Sequence, residues 1–216
     1  MITYLSPIIK TLIIQKLFDK INSEFEEEII PVIPEKYAIN RHCLYNVEQK
    51  IKNDGGTACF GWSIYQSEDL CEAEKHVVWE NSEGDLIDVT PNEVGLKQIM
   101  FLPDNRYKNV DELNVRINLS DSKAIDTLIS LFSIDHQLYL DYAIKIKNGF
   151  TMPNDVKRMQ DEVKNIIDFY QDYIGKGVKR FTVCYCGSNK SYNNCHSNIT
   201  IKDLNKKLVE FRLNRK

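Results

Sequence analysis

Cys184, Cys186, Cys195 and His196 bring four soft-metal ligands into one short stretch of the chain. Two Cys one residue apart, then an adjacent Cys and His after eight intervening residues, can supply the donors of a closed tetrahedral Zn²⁺ site. Such a site keeps no position for substrate, so the zinc is expected to be structural rather than catalytic. Gly187 and Ser188 suit a tight turn whose backbone N–H groups face the thiolates. Three thiolates, one neutral imidazole and Zn²⁺ sum to about −1, a charge that Lys179, Arg180 and Lys190 would offset. The competing readings are a chance meeting of these residues and a disulfide.

A second set is spread more widely. Cys43 falls in the first turn of an expected helix, and His76 and Asp88 fall on expected strands. A helix N-terminus and an adjacent imidazole both favour the reactive thiolate, which makes Cys43 a candidate nucleophile and His76 its base. Asp88 would then hold the imidazole tautomer and stabilise its charged form. The plainer reading is that Cys43 is a packing thiol and His76 a structural histidine. His42 is a rival base on a different helix face, Cys59 and Cys71 read as packing thiols, and His136 reads as part of a helix. Trp62 and Trp79 read as core anchors, either of which could also wall a cleft.

The elements must position these residues. Ser6-Pro7 resembles a helix start, followed by Ile9, Leu12, Ile13, Leu17 and Ile21 at helical spacing. Ile29 to Pro34 reads as an extended linker, and Asn40 as the cap of a helix over residues 41–52 that ends at Asp54-Gly55-Gly56. Four β-rich segments follow at about 57–66, 72–80, 85–90 and 97–102, which predict an antiparallel meander. If Ser82-Glu83-Gly84 is a three-residue loop, Asn81 pairs with Asp85, and His76 and Asp88 become diagonal neighbours on one face. A four-residue loop would put them on opposite faces. Helical spacing returns over 120–148, with a bend expected near Ser133-Ile134-Asp135, and over 153–174. Thr200 and Asp203 resemble a capping box for a last helix carrying Ile201, Leu204, Leu208 and Phe211.

The expected class is α+β, an antiparallel sheet packed on helices with a helical C-terminal half. Its expected domains are a core over 1–175 and a zinc module with a basic terminal helix over 176–216. At 216 residues, 43% hydrophobic and 27% charged, the chain can build a core plus a small satellite. No run of 18 apolar residues is present, and Lys10 and Lys16 interrupt the apolar N-terminal segment. A cytoplasmic location is therefore expected, with Cys43, Cys59 and Cys71 as free thiols. The net charge of −3 conceals an asymmetry: residues 175–216 carry ten Lys or Arg against Asp203 and Glu210. That stretch could bind an acidic protein, a phosphate backbone or anionic lipid, or be a solvated helix face docked on the acidic remainder. No small-molecule cofactor is indicated.

The spacing C-x-C-x8-C-H, with Gly187-Ser188 after the second Cys and Tyr192 three residues before the third, resembles the SEC-C motif of the SecA translocation ATPase. The likeness covers about residues 180–197 and implies zinc binding and docking. Cys43-Leu44-Tyr45-Asn46-Val47, followed by a strand His and a strand Asp, is similar to the order in protein N-terminal glutamine amidases. His76-Val77-Val78-Trp79 with Asp88-Val89-Thr90 also looks like the His and Asp strands of transglutaminase-like hydrolases. Both are papain-like Cys-His-Asp folds, and this likeness covers about residues 40–104. The whole order resembles bacterial proteins that join such a domain to a SEC-C motif. Together these imply a zinc-binding protein with a Cys-His-Asp hydrolase or acyl-transfer site acting on an amide. The alternative is a non-enzymatic adaptor whose zinc module docks a protein, ribosomal or other acidic partner.

Overall fold

A computed structural model describes residues 5–92, 94–106, 112–146, 149–197 and 199–215. Their contacts divide into two units, one running up to Leu119 and the other from Ser120 onward. The expected boundary at 175–176 falls inside the second unit. The described residues are α+β, with an antiparallel sheet and five α-helices. None of these helices is long and apolar enough to cross a membrane.

In the first unit, α1 (Leu12–Ile21) and α2 (Cys43–Asp54) accompany β1 (Glu28–Pro31), β2 (Thr57–Gln66), β3 (Leu70–Glu80), β4 (Leu86–Ile87), β5 (Gln98–Pro103) and β6 (Val115–Asn118). The sheet order is β1-β5-β2-β3-β4, with β6 also paired to β3. The expected meander holds for β2, β3 and β4, but the chain then crosses over and β5 lies between β1 and β2. Because side chains alternate, one face of the sheet carries Trp62, Ile64, Cys71, Ala73, Met100 and Leu102. The apolar stripe of α1 (Ile14, Leu17, Phe18, Ile21) buries against that face. Val47 of α2 packs farther along with Val77 and Val89. Ile30, Val78, Leu86, Ile99 and Phe101 form a smaller cluster on the opposite face.

Several local expectations are corrected. Thr11, not Ser6, caps α1, accepting from Ile14 N. Ser6 instead bridges two strands, donating to Ile64 O at 2.8 Å and accepting from Met100 N at 2.8 Å. The residues read as a linker contain β1, which tolerates Pro31 because it is an edge strand. The cap of α2 is His42, which makes no side-chain capping bond.

The second unit packs α3 (Lys123–Tyr142), α4 (Asn154–Gly175) and α5 (Ile199–Asn214) around Leu128, Leu131, Val163, Tyr170, Leu204 and Leu208. A hairpin of β7 (Ile144–Ile146) and β8 (Gly149–Thr151) joins α3 to α4. The helix expected over 120–148 therefore ends at Tyr142, and it runs unbroken through Ser133-Ile134-Asp135. Thr200 lies inside α5 rather than at its cap, and its hydroxyl bonds to Tyr170 OH at 2.8 Å. Part of the basic tail meets acids of α3 and α4: Arg212 with Asp141, Arg215 with Asp155 and Lys207 with Glu162.

Candidate functional site

The metal-ligand set is built by one hairpin loop. Cys184 N donates to Lys190 O at 2.8 Å and Tyr192 N to Thr182 O at 2.9 Å, so the two arms run side by side. The turn between them uses Gly187 at φ 76° and Asn189 at φ 57°, left-handed positions that glycine and asparagine tolerate. A short 3₁₀ turn over Tyr192–Asn194 then delivers Cys195 and His196 to the thiolates of the first arm. One donor atom from each of Cys184, Cys186, Cys195 and His196 lies within 4.8 Å of all the others. Individual separations are 3.2 Å from His196 Nδ1 to Cys184 Sγ, 3.2 Å to Cys195 Sγ, and 3.5 Å between Cys186 Sγ and Cys195 Sγ. A tetrahedral ion with metal–ligand bonds of 2.0–2.3 Å needs donors about 3.5–3.8 Å apart, so these residues fit a metal ion.

Buried hydroxyls tie the loop to the helices. Tyr192 OH lies 2.8 Å from Thr127 Oγ1 and 3.0 Å from Tyr170 OH, so α3, the loop and α4 share one network, which Thr200 extends to α5. Burial pushes the Cys184 thiol up to about 11. Hydrogen bonds from the Ser188 side chain and backbone bring Cys186 down to about 6. Of the N–H groups expected to face the thiolates, that of Ser188 does so, whereas Gly187 N donates to Cys184 O at 3.3 Å. If a metal binds here, Cys184, Cys186, Cys195 and His196 would hold it, and it would supply a structural crosslink.

The second set assembles across the first unit. Asn81 N donates to Asp85 O at 3.0 Å, Gly84 sits at φ 89°, and Glu80 pairs with Leu86. This is the three-residue loop, and the register puts Val78 opposite Asp88 and His76 diagonal to it. Strand β4 is shorter than expected, because the backbone of Asp88 turns to β1: Asp88 N donates to Pro31 O and Ile33 N to Asp88 O. His76 Nε2 stands 3.2 Å from Asp88 Oδ2, an ion-pair contact without the alignment of a directed hydrogen bond. The other carboxylate oxygen accepts from Thr90 N at 2.9 Å.

Cys43 is the first residue of α2, half-buried, and it is among the groups that act electrostatically on the His76 ring. Burial alone would lower the His76 pKa, but Asp88 and Cys43 outweigh it and hold the imidazole well above its ordinary value. Of the three residues expected to meet, His76 and Asp88 are in contact, and Cys43 acts on the His76 ring from the start of α2.

Two supporting residues carry signals that spacing alone does not reveal. Asn46, one helical turn after Cys43, is wholly buried. Its amide accepts from Ile39 N at 2.9 Å and donates to Ile39 O at 2.8 Å and Thr90 Oγ1 at 3.1 Å. One side chain thus fastens the approach to α2 to the segment that follows Asp88. Gly61 lies directly across from His76 on β2, where a Cβ would come within 2.3 Å of Leu102 O and 2.6 Å of the Phe101 ring. The two tryptophans do not flank His76. Both lie on the helix-bearing face, Trp62 donating to Asp104 Oδ2 at 2.8 Å and Trp79 to Gly55 O at 2.9 Å. Comparison of the chain with family models, curated proteins and solved structures finds no match.

Proposed function

We propose that this chain is a cytoplasmic, Cys-dependent enzyme that hydrolyses or transfers the acyl group of an amide, carried beside a structural Zn²⁺ module of SEC-C type. The observation that carries the reading is His76 between Asp88, at 3.2 Å, and the Cys43 thiol at a helix start. In this reading Cys43 gives its proton to His76 and attacks the amide carbonyl. The C–N bond breaks as the imidazolium returns that proton to the leaving amine, which leaves a thioester. Water, or an acceptor amine, then attacks the thioester with His76 again taking the proton, and the thiol is released. Asp88 keeps the imidazole oriented and favours its charged form throughout. The fold in this reading is of papain and transglutaminase type.

The test is alkylation of Cys43 in zinc-loaded protein by iodoacetamide at neutral pH, followed by peptide mass spectrometry. Cys43 is expected to react about tenfold or more faster than a free thiol, and about 10²-fold slower in His76→Ala. An ordinary rate that ignores His76→Ala overturns the reading. A second reading, an adaptor docking an acidic protein or ribosomal surface through residues 176–216, draws on one observation. Phe181 and Val183 are 78% and 55% exposed beside Lys179, Arg180 and Lys190 of the zinc loop.

A further inference from the structure

Within the second unit, Lys123, Arg180, Phe181, Ser191, Asn193 and Asn194 line a recess of about 190 Å³. No Asp or Glu lines it, and among the described residues neither Lys123 nor Arg180 makes an ion pair. The cations of α5 differ, since Lys207, Arg212 and Arg215 each stand against a carboxylate of α3 or α4. Asp121 and Asp126 flank Lys123 in the chain, but neither is part of the lining. Hydrogen bonds frame the recess. Asn193 joins two of its sides, Oδ1 accepting from Lys123 N at 3.0 Å and Nδ2 donating to Asp121 O at 3.2 Å. Arg180 and Phe181 sit in a tight turn closed at both ends, Lys179 N donating to Thr182 Oγ1 at 2.8 Å and Thr182 N to Lys179 O at 2.9 Å. Thr182 O accepts from Tyr192 N at 2.9 Å, which fastens that turn to the 3₁₀ segment carrying Asn193 and Asn194. The first N–H groups of α3 are already taken, Lys123 N by Asn193 and Ala124 N by Ser122 Oγ, so an anion here must be held by side chains.

The side chains left over suit such an anion. Lys123 and Arg180 are both exposed and thus open to an ion from solvent. Two positive charges on one recess with no acid between them disfavour each other, and an anion relieves both. The guanidinium offers a planar fork of donors and the ammonium a point charge. Asn194 adds an amide N–H donor, exposed and without a side-chain hydrogen bond among the described residues. These donors come from three places: the start of α3, the turn at Arg180 and the 3₁₀ segment. A planar carboxylate has two oxygens to share among them, whereas a phosphate group has three or more. At about 190 Å³ the recess is smaller than the roughly 300–1,000 Å³ of sites that enclose a whole drug-sized ligand, which suits one tetrahedral oxyanion.

We infer that this recess is a phosphate-binding site in which Lys123, Arg180 and Asn194 hold the oxygens. It is independent of the acyl-transfer reading. The group arrives either as inorganic phosphate or as the phosphate of a nucleotide, whose base would lie on the exposed Phe181 ring at the rim, and the chemistry of the recess is the same for both.

The experiment titrates zinc-loaded full-length protein with inorganic phosphate at constant ionic strength, with acetate as the control anion, and follows backbone amides by NMR. Phosphate is expected to shift the amides of Lys123, Arg180 and Asn194 with a dissociation constant on the order of 1 mM, and acetate to bind about tenfold more weakly. Arg180→Ala and Lys123→Ala, both at exposed positions, should each weaken phosphate about tenfold. Lys190→Ala removes an equal charge from the same loop but outside the recess, and should change the affinity by less than about twofold. Phosphate shifts absent from the recess, acetate binding as tightly as phosphate, or a loss in Lys190→Ala equal to that in Arg180→Ala overturn the inference. Should a variant lose its zinc or its dispersed spectrum, the parent's shift map and its preference for phosphate over acetate decide alone. Uridine 5′-monophosphate separates the two sources. Binding about tenfold tighter than phosphate, with the gain lost in Phe181→Ala, assigns a nucleotide, and affinity no better than that of phosphate assigns the free ion.

Discussion

The Cys₃His loop and the Cys43-His76-Asp88 set solve the same problem, the convergence of reactive side chains, by opposite means. The loop collects its four donors from one hairpin and one 3₁₀ turn, so sequence spacing alone nearly determines their geometry. The second set draws on a helix start, a long strand and the residue after a short strand, and it converges only if the β3–β4 register is right. Where convergence is local, a cation can hold it. Where it is not, buried backbone and amide hydrogen bonds must do so, and Asn46 and the Asp88 backbone are where they concentrate.

The largest expected effect breaks the local site. Structural zinc stabilises small modules by about 10–16 kcal/mol in apparent folding free energy, so chelation or Cys184→Ser should abolish stoichiometric Zn²⁺ and loosen residues 182–196. Because Tyr192 and Cys184 belong to the same apolar cluster as α3, α4 and α5, hydrogen exchange should also rise in those helices. Elemental analysis near zero in the parent protein would instead remove zinc as the crosslink.

Next comes the non-local site. Asn46→Ala removes a buried amide that makes three hydrogen bonds, and it should cost about 1–3 kcal/mol in urea unfolding. Cys43 alkylation should slow as well, since the same amide fixes the approach to α2. Unchanged alkylation with the full stability loss would show that Asn46 supports the fold but not the thiol.

A smaller effect follows from charge. The folded His76 pKa is raised, so its contacts contribute stability that is fully present below the unfolded pKa of about 6.5 and is lost as pH rises through the folded value. Asp88→Asn removes the leading cause of that elevation. In the variant the His76 ring should titrate at lower pH by NMR, and the decline in stability should begin at lower pH. An unmoved titration would assign the elevation to Cys43 alone.

The smallest effect belongs to the exposed pair Lys207–Glu162, 3.1 Å apart on the surface of the second unit. Lys207→Ala should change stability by no more than about 1 kcal/mol and should do so only at low salt. A larger loss would make the basic tail an internal strut.

The two regions also differ in how far the sequence alone discloses them. The loop ligands follow from residue type and spacing. The bounds of β2 and the Asn81–Asp85 turn follow from alternation and from Gly84, and with them the diagonal of His76 and Asp88. Strand β1 is hidden by its prolines, which only an edge position allows, and β6 by Arg116 and Asn118 on one face of a short strand. The capture of Asp88 by β1 is hidden as well, because it depends on a strand that is itself unseen. Lys123 and Arg180, far apart in the chain, look like solvated charges until the fold sets them on one recess.

The place of β5 between β1 and β2 carries a consequence for synthesis. Ile30 emerges from the ribosome early, yet its ladder partner is Ile99, so β1 must wait unpaired while α2, β2, β3 and β4 are made. The hairpin of β2 and β3 can form meanwhile from local contacts, but its β5 edge stays open. Asp88, whose backbone is fastened to β1, waits as well. In the nascent chain the Cys43-His76-Asp88 arrangement is therefore completed late, when β5 arrives and closes the sheet over a long loop. The Cys₃His hairpin, closing within its own few residues, is free of that delay.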